Sequence, residues 1–414
     1  MAEAVFRNAG KRFFENGVNA LLRLEKNMAI FRVLFKTILL ASVLFGIQEQ
    51  GRCDLVFDFF SIHPDAAAQP TVRGSTLSSI EFFQDELYFG YGDWAADTGP
   101  IAIRSLNPST GTWSPKLLSL DTEAITHFRP IGSSLYAVNV DPLGPPGVNP
   151  GGYALGTSNG FGSTSWRSVS NIPATHSFDI SGGTGNDLWV VGSSGTLGAI
   201  WRSVDGGQTF NVARLDGPAA GSPPFVFSRY TGVAEYMGLL YVQRVDVNGS
   251  HVSSSLVFDG SSWTNGPDLI SASNGSIFRP QQFDGQLVYF DGDLGNKNLY
   301  RFDGTQSALA YTEPIRDFYV TNGILIALSA SGEIISTRDL NSWTTLGLAP
   351  TNSQSLAFNS DFIFVGTSTA QVFRAESSSI TAVPEPSIWQ MFAVTILFAG
   401  TVAFRRYRRE IPQA

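Results

Sequence analysis

The sequence predicts an all-β fold, a seven-bladed β-propeller with six or eight blades as the alternatives. Three observations predict it. Short runs rich in Val, Ile, Phe, Tyr and Trp recur between clusters of Gly, Ser, Asn, Asp and Pro. No long stretch carries the apolar period of a helix. One unit, a polar or Gly turn followed by apolar residues and often a Gly, returns seven times.

Its copies are Glu86-Leu87-Tyr88-Phe89-Gly90, Ser134-Leu135-Tyr136-Ala137, Asp187-Leu188-Trp189-Val190-Val191-Gly192, Leu239-Leu240-Tyr241-Val242, Gln286-Leu287-Val288-Tyr289, Gly323-Ile324-Leu325-Ile326 and Asp361-Phe362-Ile363-Phe364-Val365-Gly366. They stand roughly 37 to 53 residues apart, which suits one four-stranded blade per copy, with the copy as the inner strand. A second unit follows, an apolar strand and a turn ending in an aromatic: Ile101 to Trp113, Ile200 to Phe210, Leu256 to Trp263 and Ile334 to Trp343. It reads as the third strand of a blade.

A ring of blades must close, because an open end leaves a strand edge unpaired. The last copy has only Gln371-Val372-Phe373-Arg374 after it, so Leu55-Val56-Phe57-Asp58-Phe59 is predicted to return and pair there.

The chain has 414 residues, 15% of them charged, with 42 Gly, 21 Pro and one Cys, which excludes coiled coils, disulfide scaffolds and most disordered proteins. Asp54 to Pro386 holds 15 Lys and Arg against 30 Asp and Glu, and Lys116 and Lys297 are its only lysines. So few cations cannot neutralise many phosphates, and nucleic acid is not an expected partner.

The two ends read as addresses. Arg32 and Lys36 precede the apolar run Ile38 to Ile47, about the length of a signal-peptide core, with Met28 as an alternative start. Residues 1–53 are therefore the expected export-signal region. Gln50-Gly51-Arg52 before Cys53 lack the small apolar pattern of a lipoprotein signal. At the other end a linker over 376–387 contains Pro384-Glu385-Pro386. An apolar stretch over 388–404 then has the minimum length of a transmembrane helix. The basic tail over 405–414, with Arg405, Arg406, Arg408 and Arg409, fixes it as cytoplasmic by the positive-inside rule. Read alone, this is a single-pass anchor.

The same order of Pro-Glu-Pro, apolar helix and arginine cluster closely resembles the PEP-CTERM sorting signal of bacteria. That resemblance implies exosortase and the export machinery as partners and removal of the hydrophobic tail. It also implies a membrane-anchored stage before processing, then the cell surface or exopolysaccharide-linked matrix of a Gram-negative-type bacterium. Within the body, over 54–375, Ser203-Val204-Asp205-Gly206-Gly207-Gln208-Thr209-Phe210 resembles the Asp-box of BNR and sialidase-like propellers, with Phe210 in place of Trp. Such a box is a turn, its Asp accepting backbone N–H groups and its aromatic plugging the blade, and is structural. Ser105 to Trp113 and Ser336 to Trp343 are degenerate relatives.

Four arginines recur just upstream of the seven-fold unit, Arg129, Arg229, Arg279 and Arg316, with His127 and His176 in comparable places. At the beginnings of inner strands they would surround the channel mouth and could meet on one anion such as a carboxylate, sulfate or uronic acid. The alternative is that each pairs with a neighbouring acid, as Asp317 offers Arg316, or stacks on an aromatic. Sialidases use an arginine triad, but no motif here supplies their Tyr nucleophile, its Glu partner or their acid. Tyr91 and Trp94, in the loop to Pro100, are a sugar platform or blade plugs. No metal is expected: His63, His127, His176 and His251 lack ligand spacing, and Asp291 to Asn296 is either an incomplete Ca²⁺ loop or a hairpin. No nucleophile-elbow, P-loop or dinucleotide fingerprint is present. The expectation is an exported, non-enzymatic surface scaffold that binds an exopolysaccharide or a surface protein. The alternative is a sialidase-like glycan hydrolase or lyase.

Overall fold

A computed structural model describes residues 55–143, 151–158, 164–217, 226–247, 254–270, 277–292 and 295–377. The export-signal region, the Pro-Glu-Pro motif, the apolar span, the arginine tail, His251 and Asp293 lie outside the described residues. No described helix is long and apolar enough to cross a membrane.

The body is a seven-bladed propeller of antiparallel sheets. The innermost strands are Ser79–Phe83, Arg129–Ile131, His176–Gly182, Phe227–Tyr236, Phe278–Phe283, Ile315–Thr321 and Ser353–Phe358, and each packs beside those of neighbouring blades. Blades 2 to 7 are single four-stranded sheets. Blade 1 splits, Ser105–Leu106 pairing with Glu86–Gly90 while Ile101–Ile103 pairs with Leu118–Leu120.

The seven-fold unit is the second strand of each blade, not the innermost one as the sequence suggested. A second strand is covered by sheet on both sides, so Leu188–Ser194 and Ile324–Ser329 are buried almost throughout and give the strongest apolar signal. Five of the seven innermost strands, those of blades 3 to 7, are bulged, and the innermost strands carry polar residues. The Gly that closes several copies has a steric cause. A Cβ on Gly192 would stand 2.0 Å from the His176 carbonyl oxygen at the bulge between Ser177 and Asp179.

The closing strand forms, displaced by three residues. Asp58–Ile62 pairs with Gln371–Glu376, setting Asp58 against Arg374 and Ile62 against Gln371. Leu55 is held elsewhere, its N–H donating to the Leu346 carbonyl at 3.3 Å beside Gly347. His63 then caps the short helix Pro64–Ala67, its Nδ1 accepting from the Ala66 N–H at 3.1 Å. Burial holds the His63 pKa down to about 3, although Asp65 pulls it upward, so the ring is a neutral acceptor.

The box turn has more relatives than the sequence showed. Asp205 Oδ1 accepts the Gln208 and Thr209 N–H groups at 3.0 and 2.9 Å, as the resemblance implied. Asn107, Asp259, Asp303 and Asp339 make a related pair of bonds at the third-to-fourth turn of blades 1, 4, 5 and 6, accepting from the N–H groups two and three residues on rather than three and four. The Thr209 hydroxyl and N–H hold Asp205 down to about 2, and the Gln306 and Thr305 donors do the same for Asp303. Between blades the packing is aromatic and aliphatic, as where Trp189, Ile200, Tyr230, Val233 and Val242 join blades 3 and 4. Each such side chain contributes about 1.5–3 kcal/mol by burial.

Gly192→Ala is expected to lower stability in urea by about 1–3 kcal/mol, because backbone must move to admit the methyl group. Gly217→Ala, whose Cβ would meet only Leu197 at 3.5 Å, is the matched control and should change little.

Candidate functional site

The channel chemistry begins with two aspartates. Asp179, at the bulge of the blade 3 innermost strand, accepts from its neighbour Ile180 N–H at 2.8 Å and from Val233 N–H of blade 4 at 3.1 Å. Asp317 repeats this in blade 6, accepting from Phe318 N–H and from Leu356 N–H of blade 7, both at 2.9 Å. Each is buried, and each meets an arginine from the preceding blade. Arg129 Nε lies 3.3 Å from Asp179 Oδ1, with His127 Nε2 at 3.0 Å, and Arg279 forms an ion pair with Asp317. Burial pushes the Asp179 carboxyl up, but Arg129, His127 and the Val233 N–H outweigh it and keep the pKa below the ordinary value.

Arg129 does more than pair. It donates to the carbonyls of Ile180, Val233 and Pro280 at 3.0, 3.1 and 2.6 Å, joining blade 2 to blades 3, 4 and 5 across the channel. Arg279 has φ of 49°, a left-handed conformation that costs a non-glycine residue about 1–2 kcal/mol. The ion pair with Asp317 accompanies that backbone turn. A second strut crosses the channel elsewhere. Tyr319 Oη of blade 6 donates to Glu81 Oε1 of blade 1 at 3.0 Å. Burial drives Glu81 up to about 7, against the opposing pull of Arg279 and the Tyr319 hydroxyl.

The four arginines do not converge. Arg129 and Arg279 line the channel. Arg316 donates to the Ser353 and Ala330 carbonyls at 2.7 and 2.9 Å, and Arg229 lies over Phe178 and Phe227 at 5.1 and 4.8 Å. His127 is buried on Asp179. His176 Nδ1 meets Asp141 at 3.1 Å, and Arg73 stacks over Trp94 at 4.8 Å. The reason is geometric: Arg229 and Arg316 stand at the starts of the innermost strands Phe227–Tyr236 and Ile315–Thr321, whose later residues Glu235 and Tyr319 line the cavity, whereas Arg129 and Arg279 stand in its wall. Tyr91 is a buried plug, its hydroxyl donating to the Ala102 carbonyl at 2.9 Å. Asp291 spends both carboxylate oxygens on Asn298, as a hairpin would. Among the described residues no group of three acidic, His or Cys side chains is placed to hold a metal.

The cavity of about 640 Å³ opens where innermost strands turn into second strands, and Glu81, Phe82, Arg129, Glu235, Arg279, Gln281 and Tyr319 are among its walls. Glu81 and Tyr319 were missed in the sequence because they lie 238 positions apart and carry no motif. A second cavity of about 520 Å³ adjoins it, sharing Phe82 and Tyr319.

No family model matches the sequence, and no curated protein does. Among solved structures the chain is similar to virginiamycin B lyase from Staphylococcus aureus, at 12% identity and a TM-score of 0.50, over 78% of this chain and 99% of that one. It is also similar to YCF48 bound to D1 peptide (15%, TM-score 0.47, 80% and 97% covered) and to the GH74 xyloglucanase of Xanthomonas campestris (14%, TM-score 0.48, 78% and 54%). The first of these likenesses bears out the propeller fold. A fold likeness at 12% identity carries no activity with it, so the site alone must argue the function.

Two outcomes follow from the channel. Asp317→Ala leaves Arg279 and two buried N–H groups without their partner and should cost about 3–5 kcal/mol in denaturant unfolding. Glu81 has its pKa raised on folding, so its contribution is complete below pH 4.5 and is lost as pH rises through about 7. Relative to Glu81→Gln, the native chain should lose on the order of 3 kcal/mol across that window, read from unfolding midpoints at each pH.

Proposed function

We propose that the protein is an exported surface protein of a Gram-negative-type envelope or matrix, sorted at Pro384-Glu385-Pro386, whose propeller is a non-enzymatic scaffold for a glycan or protein partner. One observation carries the scaffold reading: the four arginines do not converge on one point, each being engaged separately by backbone carbonyls, a carboxylate or aromatic faces inside the ring. The sorting reading rests on the tripartite C-terminal sequence behind an export signal.

A glycan-active hydrolase is the second reading, and Glu81 favours it. A carboxyl near pKa 7 in a cavity is suited to proton transfer. Glycoside hydrolysis needs a second, available carboxylate; Asp179 and Asp317 are each committed to two backbone N–H groups, which leaves Glu235 in the cavity wall as the one that reading would use.

The sorting reading is tested by expressing the full chain, tagged before residue 376, in a Gram-negative host that carries an exosortase. The native chain should lose its hydrophobic tail, read by the mass of the surface-released product. The triple change of Pro384, Glu385 and Pro386 to Ala should leave full-length protein in the membrane fraction. Equal release of both would remove the sorting reading.

A further inference from the structure

We infer that the two adjoining cavities form one binding cleft for a neutral, hydroxyl-rich saccharide of at least two units. This deepens the glycan arm of the proposed scaffold function and rests on it.

The charge of the walls decides against the anionic ligand that the sequence suggested. In the channel cavity Arg129 is opposed by Asp179 and Arg279 by Asp317, while Glu235 adds a carboxylate with no opposing cation in the wall. The second cavity is lined by Asp85 and Asp361 with the amides of Asn107, Asn322 and Asn359, and no Lys or Arg is among its walls. An anion entering either would meet uncompensated carboxylates.

The remaining groups suit hydroxyls. Beyond its Nη1 bond to Asp317, the guanidinium of Arg279 has N–H groups with no partner among the described residues. These are donors in fork geometry for neighbouring hydroxyls. Glu81 accepts the Tyr319 hydroxyl on Oε1 and faces the cavity as a further acceptor or donor, and Gln281 supplies both kinds of group. Between the cavities stand the buried Tyr319 and the half-buried Phe82, shared by both walls, and Phe82 is the aromatic surface where a chain of sugars would cross from one to the other. Two volumes of about 640 and 520 Å³ joined at an aromatic divide match an oligomer better than a single small molecule.

The experiment is calorimetric titration of the full chain, in detergent, with two panels of oligosaccharides, one neutral and one containing uronic acids. The variants are Gln281→Trp, which fills the channel cavity from its wall, and Tyr319→Phe, which keeps the ring but removes the hydroxyl that holds Glu81. Neutral oligosaccharides should bind, longer ones more tightly than monosaccharides. Gln281→Trp should weaken them at least tenfold and Tyr319→Phe several-fold, with thermal midpoints checked for each. If one variant fails to fold, the other carries the test. Binding confined to the uronate panel overturns the inference, as does neutral binding that both folded variants leave unchanged. The latter result keeps the glycan arm and moves its site elsewhere. No binding by either panel overturns the inference and the glycan arm together, leaving the protein-partner arm.

Discussion

Seven sheets that meet edge-on at one axis leave seven rows of backbone N–H and C=O groups without a strand partner, and the rest of the molecule is arranged around satisfying them. Buried groups of this kind cost about 1–3 kcal/mol each when left unpaired. Asp179 and Asp317 answer the N–H side, each reaching one blade onward. Arg129 answers the C=O side in three blades at once. The charges then neutralise one another, which is why ionic side chains can stand in the centre of so acidic a protein.

This accounts for why the channel arginines look functional in the sequence. Arginine repeated at one place in successive blades signals a recurring need, and a shared ligand is one such need. The backbone of the ring is another, and no pattern in the chain distinguishes them. Only the partner's position does, and for Arg129 the partners are carbonyl groups 51 to 151 residues away.

The blade repeat was legible because second strands are buried on both faces and spell continuous apolar runs. Their assignment as inner strands failed for the same reason: the true inner strands are interrupted by bulges and polar residues that a hydrophobic reading discounts. The closing strand was legible from the need for a partner, and its register was not, because Leu55 is claimed by the edge of blade 6. Of the turns between third and fourth strands, Asp205 announced itself by its motif, whereas Asp259 and Asp303 make a tighter turn, to the N–H groups two and three residues on, without those letters. The Glu81–Tyr319 pair had no local trace at all.

Closing the ring with Asp58–Ile62 against Gln371–Glu376 also fixes an order in time. The first strand of the body to be synthesised waits for the last before it can be placed, across a loop of more than 300 residues. Contacts of such sequence separation form late and slowly. The seventh blade is therefore the final event of folding, and until the chain is complete the nascent ring holds two open edges that must be kept from pairing with other strands.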